Sequence, residues 1–218
     1  MEADNKKLLA EGAKTFEIDL AEKAIGAFAL YGRELLKWNQ KINLTAIRSD
    51  KGIIIKHFLD SLSAFPYLLN VFSLLDIGSG AGFPGIPLKM VCPSLEVTLI
   101  DSVRKKVDFQ KHIIRTLGLE GIEAIHGRVQ DKAILRSLGN QFDAIIARAF
   151  SDLQNLLILG LPFLKKGGVV LAMRGEMVGE TIPSLSQLEK VPYQLKKIVR
   201  FTLPFSSIRR SILIFERI

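Results

Sequence analysis

The 218-residue sequence predicts an α/β protein, with a doubly wound, mostly parallel sheet behind an N-terminal helical cap. Three observations predict it. From Phe72 onward, short apolar runs alternate with helix-patterned stretches, the signature of a parallel sheet covered on both faces. The first of these runs, 74–77, passes directly into the glycine-rich turn Gly78-Ser79-Gly80-Ala81-Gly82. Upstream of it, the sequence shows helical periodicity only. The expected division is a helical extension over 1–70 and a sheet domain over 71–218.

The elements follow in order. Residues 18–42 form an amphipathic pattern, with Ile25, Phe28, Tyr31, Leu35, Trp38 and Ile42 at three- and four-residue spacings. Asp19 with Glu22 three residues on reads as a capping box. Phe28, Tyr31 and Trp38 read as core rather than as stacking platforms. A polar turn over 39–49 leads to a second helix over 51–69, capped by Ser49 or Asp50. Strand one is 74–77, and its helix is 84–91, with Pro84 in the first turn. Strand two is 95–100. A helix over 103–117 closes at Gly118. Strands three and four are 122–126 and 142–147. A helix over 153–164, a Lys165-Lys166-Gly167-Gly168 turn and strand five over 169–173 come next. A helix over 176–189 and strands over 193–202 and 210–217 complete the chain.

Composition narrows the function. Hydrophobic residues make up 48% of the chain, which excludes global disorder. The single cysteine, Cys92, permits no intramolecular disulfide and suits a reducing compartment. Residues 1–13 lack the apolar core of a signal peptide, and no apolar run approaches the roughly 20 residues needed to span a bilayer. A cytoplasmic protein with no membrane partner is expected. The net charge is +8, and 165–218 alone carries ten Lys/Arg against four Asp/Glu. That segregation points to a polyanionic partner, most simply nucleic acid.

The glycine turn is a ligand site because glycine admits positive φ and close backbone approach. Gly80, Gly82 and Gly85 formally match a dinucleotide fingerprint, a weak signal alone. Asp76 changes the expected ligand: a carboxylate beside the turn disfavours phosphate and favours a cation. S-adenosylmethionine carries a sulfonium and an ammonium and no phosphate, and Asp76 is expected to meet its amino group directly or through a water. Asp101, at the end of strand two, suits the ribose hydroxyls of an adenosine and also the N-cap of the following helix.

Further residues make the pattern specific. They are Asn43-Leu44-Thr45, His57-Phe58-Leu59-Asp60-Ser61, the run from Asp76 through Phe83-Pro84-Gly85-Ile86-Pro87, Leu99-Ile100-Asp101-Ser102, Arg128-Val129 and Arg148-Ala149-Phe150. From about Trp38 to the C-terminus the chain resembles the ribosomal RNA small subunit methyltransferase G family, also called glucose-inhibited division protein B. The resemblance implies a Rossmann-like class I S-adenosylmethionine-dependent methyltransferase of the bacterial cytoplasm. It implies transfer of a methyl group to N7 of one guanine of 16S ribosomal RNA, conventionally numbered 527. It also implies cofactor contacts at Gly78, Phe83, Val129, Gln130 and Arg148, beside Asp76, Gly80, Gly82, Asp101 and Ser102. Two positions depart from the family pattern: Gln130 replaces an acidic residue, and Met173-Arg174-Gly175 replaces Leu-Lys-Gly.

Guanine N7 has an in-plane lone pair and no proton to lose, so its methylation needs no general base. Positioning should supply the catalysis. Arg148 is the residue expected to orient the guanine or its phosphate, with an ion pair to Asp76 or another rim carboxylate as the alternative. Asn43, Arg48, His57, Arg104, Lys105, Arg128, Lys165, Arg174, Lys197 and Arg209 are the expected RNA contacts. His57 is not expected to act as a base. One cysteine and three dispersed histidines make no metal-ligand set. The expected partner is 16S ribosomal RNA within the small ribosomal subunit, bound by a monomer. Two competing readings use the same residues: an NAD-dependent oxidoreductase and a non-catalytic RNA-binding protein. Asp76 and the absence of a hydride-handling set argue against the first, and the intact Asp76, glycine run and Asp101 against the second.

Overall fold

A computed structural model describes residues 2–148, 150, 152–176 and 192–218. The chain opens with α1 (Ala3–Lys14) and α2 (Glu22–Asn39). Next come α3 (Asp50–Ile53), a π-helical turn (Ile54–Leu59), α4 (Asp60–Leu62) and a 3₁₀ turn (Phe65–Tyr67). Then follow β1 (Ser73–Ile77), α5 (Gly85–Val91), β2 (Glu96–Asp101), α6 (Arg104–Leu117), β3 (Ile122–His126), α7 (Lys132–Leu138) and β4 (Phe142–Arg148). The last elements are α8 (Leu153–Gly160), β5 (Leu164–Arg174), β6 (Tyr193–Thr202) and β7 (Arg209–Arg217).

The seven strands form one sheet in the order β3-β2-β1-β4-β5-β7-β6. The first five are parallel, while β7 runs antiparallel to β5 and β6 antiparallel to β7. The chain winds outward from β1 through β2 to β3, then restarts at β4 on the other side. The switch point therefore lies between β1 and β4, and ligands of open α/β sheets sit at the carboxyl ends of strands there. Side-chain alternation sorts β1 between two cores. Leu74 joins a cluster shared with the N-terminal helices, α5 and α6, whereas Leu75 and Ile77 join one shared with α7 and α8. The helical segment thus covers one face of the sheet through Leu9, Phe28, Tyr31, Phe58 and Leu62.

Several expected details differ. The helix expected over 18–42 starts only at Glu22, with Ala21 as N-cap and no side-chain cap bond, so the Asp19–Glu22 capping box does not form. Asp19 instead lies near Lys14, 4.0 Å away. Ser49 does cap α3, accepting from the Gly52 N–H at 3.2 Å. α7 had no strong period in the sequence and was not expected. β5 begins at Leu164, because Leu164 pairs with Phe142 across a register shift and Gly167 turns at φ 76°. The helix expected over 176–189 lies outside the described residues, apart from Glu176. Among the described residues no helix is long and apolar enough to cross a membrane.

Candidate active site

The site is built on the loop between β1 and α5. Gly78, Gly80 and Gly82 adopt φ of 71°, 60° and 95°, the left-handed region that favours glycine. A Cβ at Gly82 would collide with Ile86 and the Tyr31 hydroxyl, whereas one at Gly78 would meet nothing within 4 Å. Gly82 is therefore fixed by packing, and Gly78 borders open space that a ligand can enter.

Side chains from distant elements hold this loop. The Tyr31 hydroxyl of α2 donates to the Ala81 carbonyl at 2.6 Å. Gln110 of α6, fully buried, donates through Nε2 to Gly80 O at 2.6 Å and to Ser79 Oγ at 2.8 Å. Asp101 accepts from the Gly80 N–H through Oδ2 and from the Val103 N–H through Oδ1, both at 2.8 Å. It thus takes the place expected beside the turn and also supports the start of α6. Its carboxylate oxygens keep lone pairs for further donors.

Asp76 is fully buried. Its Oδ2 accepts from the Gly85 N–H at 2.8 Å, and its Oδ1 has no hydrogen-bond partner among the described residues. Burial pushes its carboxyl up to about 7, against the opposing pull of the Gly85 N–H and the Arg148 guanidinium. An orphaned carboxylate oxygen in a dry site calls for a donor, and a ligand ammonium would supply one. With the open space at Gly78 and the spare acceptors of Asp101, the residues fit S-adenosylmethionine.

A second group stands beside the turn. Phe83, nearly buried, stacks between Tyr31 (5.2 Å, 12°) and His57 (4.5 Å, 4°). The Arg148 guanidinium lies 5.2 Å from the Phe83 centroid. Arg148 donates to His57 Nδ1 at 3.0 Å, to Asp60 Oδ2 at 3.3 Å and to the Lys56 carbonyl at 3.1 Å. Arginine cannot accept, so Nδ1 is the acceptor and His57 Nε2 carries the proton, donating to Thr45 Oγ1 at 2.8 Å. Burial and the neighbouring guanidinium lower the His57 pKa to about 3, so the ring is neutral at physiological pH. Asp60 also accepts from Arg210 Nε at 3.0 Å, so one buried carboxylate braces two arginines. The alternative expected for Arg148, an ion pair, forms, but with Asp60 of the helical cap and not with Asp76 or another carboxylate of the strand rim.

These residues border a cleft of about 370 Å³ lined by Ile47, Lys56, His57, Asp60, Arg148, Met173, Arg174, Gly175 and Arg210. Of the expected RNA contacts it gathers His57 and Arg174. Both His57 ring nitrogens are engaged within the protein, which leaves it a positioning role. Arg48 is exposed one residue beyond Ile47; Asn43, Arg104, Lys105 and Arg128 are exposed on loops and at the start of α6. Ser102 and Gln130 are exposed and Val129 is buried, all at the carboxyl edge of β2 and β3. Three expected contacts lie away from the cleft. Lys165 is at the opposite end of the sheet, 2.7 Å from Asp143. Lys197 sits over the Tyr67 ring at 5.4 Å. Arg209 points to Glu176 at 2.5 Å, while its neighbour Arg210 faces the cleft.

Sequence reasoning missed the loop-holding roles of Tyr31 and Gln110, which lie 50 and 30 residues from their partners. Asp60 stood within the quoted His57–Ser61 motif, and its i,i+3 spacing from His57 on one helical face was the available signal. Asn39 organises the cap loop, bonding Leu44, Thr45 and the Thr45 carbonyl. Among the described residues no group of three or more His, Cys, Asp or Glu could hold a metal ion.

The fold is that of Rossmann-like class I methyltransferases. A solved S-adenosylmethionine-dependent methyltransferase from Aquifex aeolicus superposes with a TM-score of 0.50 at 19% identity, over 66% of this chain and 81% of that one. The family model described as rRNA small subunit methyltransferase G matches residues 24–211, and the chain belongs to that family. Two relatives named ribosomal RNA small subunit methyltransferase G bear this out. The one from Acetivibrio thermocellus is 41% identical over 97% of this chain and 88% of its own length. The one from Geotalea uraniireducens is 42% identical over 98% and 97%.

Proposed function

We propose that this protein methylates N7 of a guanine in 16S ribosomal RNA, the one conventionally numbered 527, using S-adenosylmethionine. Family membership supports the rRNA substrate. The observation that carries the cofactor is the buried Asp76 carboxylate, with one unpartnered oxygen, beside a glycine turn at the switch point. Asp76 would hold the cofactor ammonium, Asp101 its ribose hydroxyls, and the backbone at Gly78 and Gly80 its approach face. Ser102, Val129 and Gln130 border the adenine end. When bound, the cofactor supplies an electrophilic methyl group on a sulfonium.

The chain's own residues position and do not transfer protons. N7 has no proton to lose, and the neutral His57 hydrogen-bonds at both nitrogens, so no base is required. The task is to hold N7 about 3 Å from the methyl carbon, in line with sulfur. Arg148, locked by His57, Asp60 and Phe83, orients the entering nucleotide through its phosphate or its O6 edge. A cation set against N7 itself would oppose the charge developing on the purine. Lys56, Arg174 and Arg210 are therefore assigned to the RNA backbone, with Arg48, Arg104, Lys105 and Arg128 further out. The enzyme acts as a cytoplasmic monomer without metal, on RNA in the context of the small subunit.

The test is transfer of tritium from labelled S-adenosylmethionine to small-subunit RNA, with the modified base mapped. Label on N7 of a single guanine is expected; no label in that RNA refutes the assignment. Calorimetry should show S-adenosylmethionine binding and no NAD binding.

A further inference from the structure

A second cleft lies at the other end of the sheet, where the strands begin. It measures about 510 Å³ and is lined in part by Tyr67, Leu69, Phe72, Asp143, Lys165 and Lys166. Two of its residues are large, apolar and bare: Leu69 is 72% and Phe72 73% exposed. The Phe72 backbone is nonetheless fixed, because its N–H donates to Asp143 Oδ2 at 3.1 Å. A held backbone carrying a bare aromatic ring is a stacking platform. The surrounding charge is cationic. Asp143 is the acid of the cleft; burial raises its carboxyl, but Lys165, Ser73 and the Phe72 N–H together outweigh that and hold it below the usual range, so it is consumed internally. Lys166 is exposed beside the open Gly167 turn, and Lys197 lies over the Tyr67 ring at the margin. Aromatic faces interleaved with lysines are what an unpaired polynucleotide strand requires, bases stacking and phosphates meeting ammonium groups.

We propose that this cleft is a second, non-catalytic RNA-binding surface, on which Phe72 stacks an unpaired base and Lys166 and Lys197 meet the adjoining phosphates. It rests on the rRNA substrate proposed above. β1 spans five residues, or roughly 16 Å at the usual rise per residue, so the two clefts engage separate stretches of one folded RNA. The cleft adds affinity and register and takes no part in the chemistry.

The experiment uses the full chain and a fluorescein-labelled ten-nucleotide oligouridylate, which contains no guanine and cannot be a methyl acceptor. Phe72→Ala is expected to weaken its binding about five- to hundredfold, the range for losing one stacked base. Lys166→Ala is expected to reduce the slope of log affinity against log salt by about 0.7, the value for one phosphate contact on a single strand. Both variants should bind S-adenosylmethionine as the parent does. In a second arm, a benzophenone amino acid replaces Phe72 and is irradiated with small ribosomal subunits; a crosslink to ribosomal RNA is expected. Unchanged oligonucleotide affinity and salt slope in both variants overturn the proposal. A crosslink confined to a ribosomal protein overturns it, as does a dimer that Phe72→Ala dissociates without loss of RNA binding. Oligouridylate binding does not depend on methyl transfer, so failure of the methylation assay strikes the proposed function and leaves these readouts standing.

Discussion

Asp76 is a carboxylate that the fold keeps dry, and its titration is the most direct handle on the site. With a pKa of about 7, it is divided between its two forms near neutrality. A ligand ammonium at Oδ1 selects the ionised form, so cofactor affinity is expected to rise from pH 6 to 8 and then level off. Calorimetric titrations at pH 6, 7 and 8 check this, with Asp76→Asn expected to flatten the profile; an undiminished slope in that variant would assign the effect elsewhere. Stability follows the opposite sign. The folded pKa lies above the usual 3.8, so between about pH 4 and 7 the native state holds the extra proton, and stability falls as pH rises. His57 runs the other way. Its folded pKa of about 3 lies below 6.5, so stability rises with pH across that window and is complete above it. The two displacements are similar in size, and their contributions offset between about pH 4 and 6.5. Removing one exposes the other: Asp76→Asn is expected to lose melting temperature on acidification from pH 6.5 to 4 more steeply than the parent. Parallel melting curves would refute the pairing. The sequence marked Asp76 as a candidate ligand group because of its place beside the glycines. It did not show His57 as a neutral, stacked ring, because that depends on Phe83 and Arg148 arriving from elsewhere in the chain.

At the scale of elements, the crevice is a loop pinned by three helical segments. α2 holds it through Tyr31, α6 through Gln110, and the π-helical turn through His57 stacked on Phe83. Tyr31→Phe removes the donor to the Ala81 carbonyl and is expected to cost about 1 kcal/mol of stability. It should also weaken cofactor binding, since the Gly78–Gly82 backbone loses a tether. Denaturant titration and calorimetry measure the two effects; a stability loss with unchanged cofactor affinity would place Tyr31 in the core alone. Asp60 is the stronger brace. Asp60→Ala leaves two arginine heads without their carboxylate. The cost expected is about 3 kcal/mol, the lower end for a broken buried pair, because Arg148 and Arg210 retain some solvent contact. A loss below about 1 kcal/mol would mean the pairs act as surface ones. The central parallel strands were readable because β1, β2 and β4 carry short apolar runs beside glycine or charged residues, and β3 appears over the span its pattern marks. α1 and α7 were not: half of α1 is charged or polar, and α7 is two turns with only Ile134 and Leu138 buried. The bonds that pin the loop join residues 21 to 50 positions apart, and periodicity carries no signal for such pairs.

Across the whole molecule, the placement of charge decides which substrate is good. The net charge is +8, and the cleft beside Arg148 can take about one nucleotide. Such a cleft selects a base but cannot by itself supply the affinity of an RNA enzyme, which comes mainly from phosphate contacts spread over the surface. Here the proposed contacts are dispersed: Lys56, Arg174 and Arg210 at the cleft, Arg104, Lys105 and Arg128 along the β2–β3 edge, Lys197 over the Tyr67 ring, and Lys166 at the far end of the sheet. N7 also faces the deep major groove of an A-form helix, where no side chain of this rim can follow, so the target guanine must be unpaired or extruded. A short isolated hairpin satisfies the cleft and leaves the distal cations unused. If the second surface proposed above binds RNA, losing its two phosphate contacts and one stacked base removes enough binding to lower kcat/KM at least about tenfold. Small subunits purified from cells lacking this methylation are therefore expected to be methylated at least about tenfold more efficiently than the hairpin at equal salt, with the difference carried by KM. Raising salt should narrow the gap as the distal contacts weaken. Equal kcat/KM on the two substrates, measured by tritium transfer, would show that recognition is confined to the loop around the target base.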